Sequence, residues 1–420
     1  MVDNDHRLSN LGNLRQLLIH LERYLYKCDS QFIHCYGDHH SVINRQTIFS
    51  QTDTELRCKI SKTKIVILGG YGSFGSLIAD QFSNSPDTIV AGRNMEEGQL
   101  FARSKAVEFQ YCDLSDNQSL RKLLSNSRLV INAAGPLKPN EYQIPRMCIE
   151  AGCHYIDIAD GRQYVTGITQ LNKLAKENQI FICAGASTVP AVTSAMIADI
   201  KTSDFDSIDS IRIALTAGNK NKPGVSTFSS ILSYVGTSIQ VWQGGGWKTH
   251  KGWGLAEFIT FPPPVGKRRV QLCDVPDLEL FPNIYKANSV IFKAGVELLI
   301  FNYALSILAV FRRMFPAVNL PPLAGNLVKI SRLFKNFGSY SGAVMVWLKN
   351  NDGKEKSIAL ATSINGARIP TAPAVLLAKK VISVGAPAFG AFPCIGFLTY
   401  KELENYFAQF GILTVRGKTI

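Results

Sequence analysis

Three glycines spaced as G-x-G-x-x-G could bind the phosphates of a dinucleotide: Gly70, Gly72 and Gly75. They follow the apolar run Lys64–Leu68 and precede a helix-like segment, the context in which this spacing is informative. There Gly70 permits a tight turn, Gly72 lets the backbone approach a pyrophosphate, and Gly75 lets the helix pack closely on the strand. The partial positive charge at the helix N-terminus attracts the negatively charged phosphates. The predicted cofactor turn comprises Gly69, Gly70, Tyr71, Gly72, Ser73, Phe74 and Gly75.

Arg93 directly follows the second strand candidate, Thr88–Gly92. A turn that binds NAD usually places Asp or Glu here for the ribose 2′-OH, whereas an arginine suits a 2′-phosphate. A solvated loop arginine is the alternative. We therefore expect NADP, with NAD as the second option, and regard Arg93 and Asn94 as cofactor candidates. Asp113, after the third strand candidate, either borders the adenine pocket or caps the helix that opens near Asp116.

Hydride transfer needs a proton donor or acceptor beside the cofactor. None of the 14 tyrosines is followed four residues later by lysine, which disfavours a Tyr-x-x-x-Lys pair. His154 has a suitable pKa range, but a histidine hydrogen-bonded to backbone at the start of a buried strand is the stronger alternative. Asp157, inside an apolar strand, more often orients a loop than abstracts a proton. Asp160 and Arg162 complete the catalytic candidates.

A second glycine-rich segment, Gly244–Gly254, contains Trp247, His250 and Trp253. Glycine hinges and aromatic walls would let it close over an anionic or flat substrate. It could equally be an ordinary hairpin whose tryptophans pack on a sheet. The three side chains are therefore substrate-side candidates.

The stretch Val290–Phe311 is strongly apolar, yet its uninterrupted part is about a dozen residues, too short to span a bilayer. No acidic residue occurs from Leu298 to Asn351, where several cations lie. An apolar helix with a basic flank is typical of peripheral membrane contact, here over residues 290–335. A helix buried in the second domain or in a homodimer interface is the slightly preferred alternative. Membrane contact would favour a lipid-like substrate over another small molecule.

The chain has 420 residues, a net charge of +13 and nine cysteines without paired spacing. It lacks a visible secretory signal, so we expect reduced thiols and a cytoplasmic location. No basic–aromatic module or zinc-finger spacing occurs, and we expect no nucleic-acid partner. The spacing of four residues in the N-terminal segment matches no zinc pattern, and no metal is expected. These residues are His34, Cys35, His39 and His40.

Six short apolar runs alternate with helical segments and predict an α/β fold with a doubly wound parallel sheet. The predicted strands are 64–69, 87–92, 107–111, 128–133, 154–158 and 180–184. The predicted helices lie near 73–83, 95–104, 116–125, 140–151 and 163–177.

After about residue 190 the pattern changes to a mixed α/β domain with an antiparallel sheet. Ile208–Thr216 alternates as a half-buried strand, and Tyr340–Leu348 and Lys356–Ser363 flank a hairpin signal, Asn350–Gly353. Two helical stretches, Ala372–Ile382 and Tyr400–Phe410, follow. The predicted divisions are a poorly ordered extension at 1–62 with one amphipathic helix, a cofactor domain at 63–190, a substrate or dimerisation domain at 191–365, and a segment packing back on the cofactor domain at 366–420.

Three blocks resemble the saccharopine dehydrogenase-like NAD(P)-binding oxidoreductases over about residues 64–200. They are the glycine turn, the run Val130–Pro136 followed by Met147–Asp157, and Ala184–Pro190. The resemblance implies a Rossmann domain, a second α/β domain and an active cleft between them. It also implies that a loop near the nicotinamide is formed by Ala133, Ala134, Gly135 and Pro136.

One departure concerns the segment after Tyr155-Ile156-Asp157. The family often has a Gly-Glu step there, whereas this chain has Ala159-Asp160-Gly161-Arg162. We therefore do not assign saccharopine as the substrate. The alternative to an NADP-dependent enzyme is a cofactor-binding, membrane-associated scaffold or sensor without efficient turnover.

Overall fold

The computed structural model describes residues 62–221, 224–334 and 336–417. All of these residues belong to the unit Ser61–Ile420, which the account below concerns. The predictions for the N-terminal extension, its amphipathic helix and its histidine–cysteine cluster lie outside the described residues.

The described chain alternates strands and helices. The strands are β1 Lys64–Leu68, β2 Thr88–Gly92, β3 Glu108–Tyr111, β4 Ser127–Asn132, β5 His154–Asp157, β6 Phe181–Ala184, β7 Ile208–Ala217, β8 Ser238–Gln243, β9 Gly246–Lys251, β10 Glu257–Phe261, β11 Gly266–Leu272, β12 Ser289–Val296, β13 Gly342–Asn350, β14 Glu355–Thr362, β15 Gly390–Pro393 and β16 Leu413–Gly417. The α-helices are α1 Gly75–Ala79, α2 Met95–Lys105, α3 Asn117–Ser125, α4 Gln143–Ala151, α5 Arg162–Gly167, α6 Asn172–Glu177, α7 Thr193–Ile200, α8 Val225–Tyr234, α9 Asp277–Tyr285, α10 Leu299–Met314, α11 Ala324–Leu333, α12 Ala372–Ser383 and α13 Tyr400–Ala408.

The first sheet has seven parallel strands in the order β15-β6-β5-β4-β1-β2-β3. The order reverses between β1 and β4, which is the doubly wound arrangement that the sequence predicts. Val66, Ile67, Val130 and Ile131 in these two central strands are fully buried. Helices cover both faces of such a sheet, so central strands need apolar residues on both sides. The predicted parallel sheet is confirmed.

The second sheet has seven strands in the order β10-β11-β12-β7-β13-β14-β16. Its β12–β7 pair is parallel, and its other pairs are antiparallel. The predicted hairpin joins β13 to β14, with Gly353 at φ +86° in its turn. The predicted mixed sheet is confirmed. The C-terminal segment contributes β15 to the first sheet and β16 to the second. The predicted domain boundaries stay a prediction.

The apolar stretch 290–311 comprises two elements, a strand followed by a helix. Its first part is β12, whose Val290 and Phe292 are buried and which pairs with β7 along its whole length. Only from Leu299 is the chain helical, as α10. The sequence of β12 does not show the alternation typical of a strand, because its inward-facing and outward-facing positions are both largely apolar. Among the described residues, no helix combines the length and the apolar character needed to cross a bilayer.

Candidate functional site

The glycine turn lies between β1 and α1 at the carboxyl edge of the first sheet. Gly69 has φ +68°, so the left-handed residue of the turn is Gly69, directly before the first glycine of the G-x-G-x-x-G motif. A Cβ on Gly70 would lie 2.7 Å from Val90 Cγ1. A Cβ on Gly75 would lie 2.8 Å from the carbonyl carbon of Gly69. Gly70 and Gly75 therefore allow the close packing of turn, strand and helix.

A cleft of about 1050 Å³ opens beside this turn. Nine of the predicted cofactor residues line it: Gly69, Tyr71, Gly72, Arg93, Asn94, Asp113, Ala134, Gly135 and Pro136. Gly70 and Gly75 are buried behind the turn, Phe74 and Ala133 are half-buried, and Ser73 is exposed. The first N–H groups of a helix have no partner within it, and glycines at the turn admit a phosphate to the backbone. The residues present therefore fit a dinucleotide.

Tyr71 ties the glycine turn to the end of β2. Its hydroxyl accepts a hydrogen bond from the Asn94 N–H at 2.8 Å. The Asn94 side chain in turn caps α2 by accepting from the Glu97 N–H at 3.2 Å. A Cβ on Gly92 would lie 2.8 Å from Tyr71 Cζ, so a glycine is needed there. These contacts place Arg93, between Gly92 and Asn94, beside the turn.

Arg93 is exposed in the cleft, and its positive charge acts on Asp113. The pKa of Asp113 lies below its ordinary value, mainly because the carboxylate accepts from the Ser115 N–H at 3.0 Å and from its hydroxyl at 2.8 Å, and less because of Arg93. Asp116, not Asp113, is the N-cap of α3, where it accepts from the Gln118 N–H. Asp113 therefore closes the turn after β3 and lines the cleft.

The loop Ala133–Pro136 leaves β4 next to the glycine turn, and a Cβ on Gly69 would lie 3.1 Å from Ala134. Buried Asn132 holds this loop, because its Oδ1 accepts from the Ala134 N–H at 3.0 Å. The Asn132 amide also donates to the Tyr155 hydroxyl at 3.0 Å, which lies 3.3 Å from that of Tyr164. The buried network fixes the loop against the sheet.

His154 and Asp157 both hold backbone in place. Nδ1 of His154 accepts from the Phe181 N–H at 3.1 Å, and burial lowers the pKa of the ring to about 4. Oδ1 of Asp157 accepts from the N–H groups of Gly185 at 2.9 Å and Ala159 at 3.0 Å. Burial raises the pKa of Asp157 to about 6. These contacts correspond to the alternatives stated from the sequence, in which His154 binds backbone and Asp157 orients a loop.

Arg162 joins the first sheet to the second half of the chain. Its Nε donates to Glu279 at 2.8 Å, and its NH1 donates to the Gln240 carbonyl at 2.8 Å and to Asp274 at 3.3 Å. Its guanidinium also lies over the ring of Trp247, 5.2 Å from the centroid. With these partners, the guanidinium connects α5 to β8, to α9 and to the loop that precedes α9, which are far apart in sequence.

Asp160 differs from the other three catalytic candidates because its side chain is accessible. It accepts a hydrogen bond from the Ser230 hydroxyl of α8 at 3.2 Å. The carboxylate has exposed surface, yet it is surrounded by enough protein that burial raises its pKa. On the same helix, Ser226 is the nearest neighbour of Gly135, 3.3 Å from where a Cβ would lie. Helix α8 therefore faces both Asp160 and the Ala133–Pro136 loop.

The segment Gly244–Gly254 comprises the turn of the β8–β9 hairpin, strand β9 and the three residues after it. Gly244 and Gly245 have φ +63° and +75°, as a two-residue type I′ turn requires. Trp253 is buried and donates from Nε1 to the Asn302 carbonyl at 3.4 Å. Trp247 is half-exposed beside Arg162, and His250 contacts Gln243 at 2.8 Å. The geometry is that of an ordinary hairpin with Trp253 packed beneath it.

Sequence reasoning missed several residues that shape the site: Gly92, Asn132, Ser226, Ser230 and Asp274. Gly92 and Asn132 carried a signal, since each ends a strand at the predicted cofactor edge. The two serines and Asp274 carried none, because they come from the second half of the chain and belong to no motif.

Comparisons with known proteins agree with this geometry. Residues 65–198 match the family described as the saccharopine dehydrogenase NADP binding domain. An Arabidopsis thaliana protein named "probable mitochondrial saccharopine dehydrogenase-like oxidoreductase" is 28% identical over 118 residues, which are 24% of this chain and 26% of that protein. The chain thus aligns with about a quarter of that relative.

A solved structure extends the similarity of fold beyond the first sheet. Apo histidine-tagged saccharopine dehydrogenase (L-Glu forming) from Saccharomyces cerevisiae superposes with a TM-score of 0.57 and 13% identity. The match covers 85% of this chain and 100% of that chain. The predicted resemblance is confirmed: residues 65–198 match the saccharopine dehydrogenase NADP binding domain, and the fold is similar to that of saccharopine dehydrogenase.

Proposed function

We propose that the protein is an NADP-dependent oxidoreductase that transfers hydride between NADP(H) and a small or lipid-like substrate. The observation that carries the choice of NADP is Arg93, which shares one cleft with the glycine turn and follows β2 directly. An NAD site would have a carboxylate at this position to accept from the ribose 2′-OH. The exposed guanidinium would instead donate charge-assisted hydrogen bonds to a 2′-phosphate.

Bound NADP(H) would supply the hydride, and the chain's own residues would orient the reacting groups. The Ala133–Pro136 loop, held by Asn132, would support the nicotinamide end of the site. The substrate would lie between this edge and α8. Among the catalytic candidates, Asp160 is the one we propose for proton transfer, because its carboxylate is accessible and its pKa is raised towards the working pH.

The test of cofactor choice is thermal unfolding with NADPH, NADH, NADP and NAD added separately. A ligand that binds only the folded state stabilises it by roughly 2.7 kcal/mol at a hundredfold excess over Kd. We expect a clear shift with the phosphorylated cofactors alone. Arg93→Asp should weaken NADPH more than NADH, and Arg103→Asp on α2 is the matched control outside the cleft. Equal losses for NADPH and NADH would show that Arg93 does not bind the 2′-phosphate.

A second candidate function is cofactor binding without efficient turnover, as in a scaffold or sensor. The observation that favours it is that His154, Asp157 and Arg162 all hold structural contacts. Steady NADPH oxidation with a carbonyl, imine or enoyl compound separates the two functions. Turnover that falls in Asp160→Asn, with NADPH affinity unchanged, would support the enzyme and this proton-transfer residue. Cofactor binding with no turnover in the wild type would favour the scaffold.

A further inference from the structure

Helix α10 exposes an apolar face to solvent, although its other face already packs on the second sheet. Asn302, Leu305 and Ala309 are buried on the inner side. On the outer side Ile307 is 71% exposed and Met314 is 68% exposed, fractions expected of charged residues on an ordinary surface helix. The exposed large apolar side chains of the helix and its next residue are Leu299, Ile300, Tyr303, Ile307, Val310, Phe311, Met314 and Phe315.

The apolar surface continues beyond this helix on one side. Phe301 meets Phe334 at 5.1 Å between ring centroids, and Phe334 meets Phe337, so the end of α11 adjoins the start of α10. Leu333 and Phe337 there are exposed as well. On the other side Arg269 stacks on Tyr303. We call the exposed side chains of α10, together with Leu333 and Phe337, the α10 surface.

The helices that carry the α10 surface also carry cations. Arg313, Lys329 and Arg332 are exposed on α10 and α11. No acidic residue occurs between Leu298 and Asn351.

Two carboxylates, Glu297 just before α10 and Glu257 on β10, are already paired with cations or backbone amides. Glu297 accepts from Arg268 and from the Ser339 N–H. Glu257 accepts from Lys293 at 2.8 Å. The charge that the α10 surface presents is therefore positive.

We propose that the α10 surface docks on an anionic membrane, with α10 lying parallel to the bilayer plane. Its apolar side chains would enter the acyl boundary while Arg313, Lys329 and Arg332 meet lipid phosphates. Among the exposed apolar side chains of α10, Tyr303 supplies the one hydroxyl.

A second copy of the chain fits the α10 surface less well than a membrane does. In a two-fold dimer the same patch meets itself, so residues near the axis face their own copies. The cations around α10 would then be brought together with no carboxylate between them, which disfavours association. An anionic bilayer offers the opposite charge to all of them at once.

The test is flotation of the full chain with vesicles of phosphatidylcholine alone or with about one-third phosphatidylserine. We expect binding to the anionic vesicles and loss of binding at high salt. The double variant Ile300→Glu/Ile307→Glu should lower the bound fraction roughly tenfold. Leu100→Glu/Val384→Glu is the control, since it adds the same charge at two other exposed apolar positions and should bind as the wild type does.

Two further measurements keep the test decisive. All four substituted positions are exposed, and circular dichroism with NADPH titration checks that the variants fold and bind cofactor independently of membrane binding. A second variant, Arg313→Ala/Lys329→Ala, should lose binding to anionic vesicles while its apolar side chains stay. Equal binding to both kinds of vesicle, or no effect of the Ile300/Ile307 change, would overturn the proposal. So would light scattering that shows a dimer which the same double variant dissociates.

Discussion

A methyl group at Gly75 should destabilise the protein by clashing with the backbone of the glycine turn. The Cβ of Gly75→Ala would lie 2.8 Å from the carbonyl carbon of Gly69 and 3.0 Å from Gly70 Cα. Both are backbone atoms, and Gly69 cannot retreat freely because it packs against Ala134. Overpacking typically costs about 1–3 kcal/mol, and we expect about 3 kcal/mol here because no flexible side chain can move aside.

Gly72→Ala is the matched comparison, because its Cβ would lie 3.1 Å from one atom, the Gly69 carbonyl oxygen. We expect it to cost less than about 1 kcal/mol of folding free energy yet to weaken NADPH binding strongly, since Gly72 lines the cleft and lets the backbone approach the pyrophosphate. Urea unfolding gives the stability, and NADPH fluorescence titration gives the affinity. The reasoning is refuted if Gly75→Ala unfolds as the wild type does, or if the two variants lose equal stability.

Three further predictions concern stability. Burial raises the pKa of Asp277 from 3.8 to about 8, so between these pH values the folded state binds more protons than the unfolded state. The wild type should therefore lose stability relative to Asp277→Asn as the pH rises from 3.8 to about 8, which urea unfolding at several pH values measures. Trp253→Ala should cost about 3–5 kcal/mol because Trp253 is buried, against less than about 1 kcal/mol for half-exposed Trp247→Ala; similar losses would contradict the packing described. Gly325→Ala in α11 should stabilise by about 0.5–1 kcal/mol, because a Cβ there meets nothing within 4 Å; a lower melting temperature would contradict this.

The first sheet could be predicted from the sequence because its central strands are buried on both faces. A run such as Lys64–Leu68 is apolar at nearly every position, and Gly or Asn marks the end of β2 and β4. The second sheet could be predicted only in part. Its β12 joins β7 in parallel after 71 intervening residues, between Ala217 and Ser289, and local periodicity carries no information about such a pairing.

The glycine motif shows a similar limit. The spacing correctly marks Gly70 and Gly75 as positions where a Cβ has no room, because both face neighbouring backbone or a packed strand. It does not tell which glycine adopts a positive φ, since Gly69 and Gly70 are adjacent and both are permissive. The structure places the left-handed residue at Gly69 because the turn must begin directly where β1 ends.

The two carboxylates after β5 show why site chemistry is harder to predict than fold. Asp157 is the last residue of the strand, and its side chain turns inward to bind two loop N–H groups. Asp160, three positions later, lies beyond the strand, where its orientation depends on the loop and on Ser230 of α8. The sequence presents both as acids at the same sheet edge. Because burial raises the pKa of both, accessibility rather than pKa favours Asp160 as the group that can exchange a proton with a substrate.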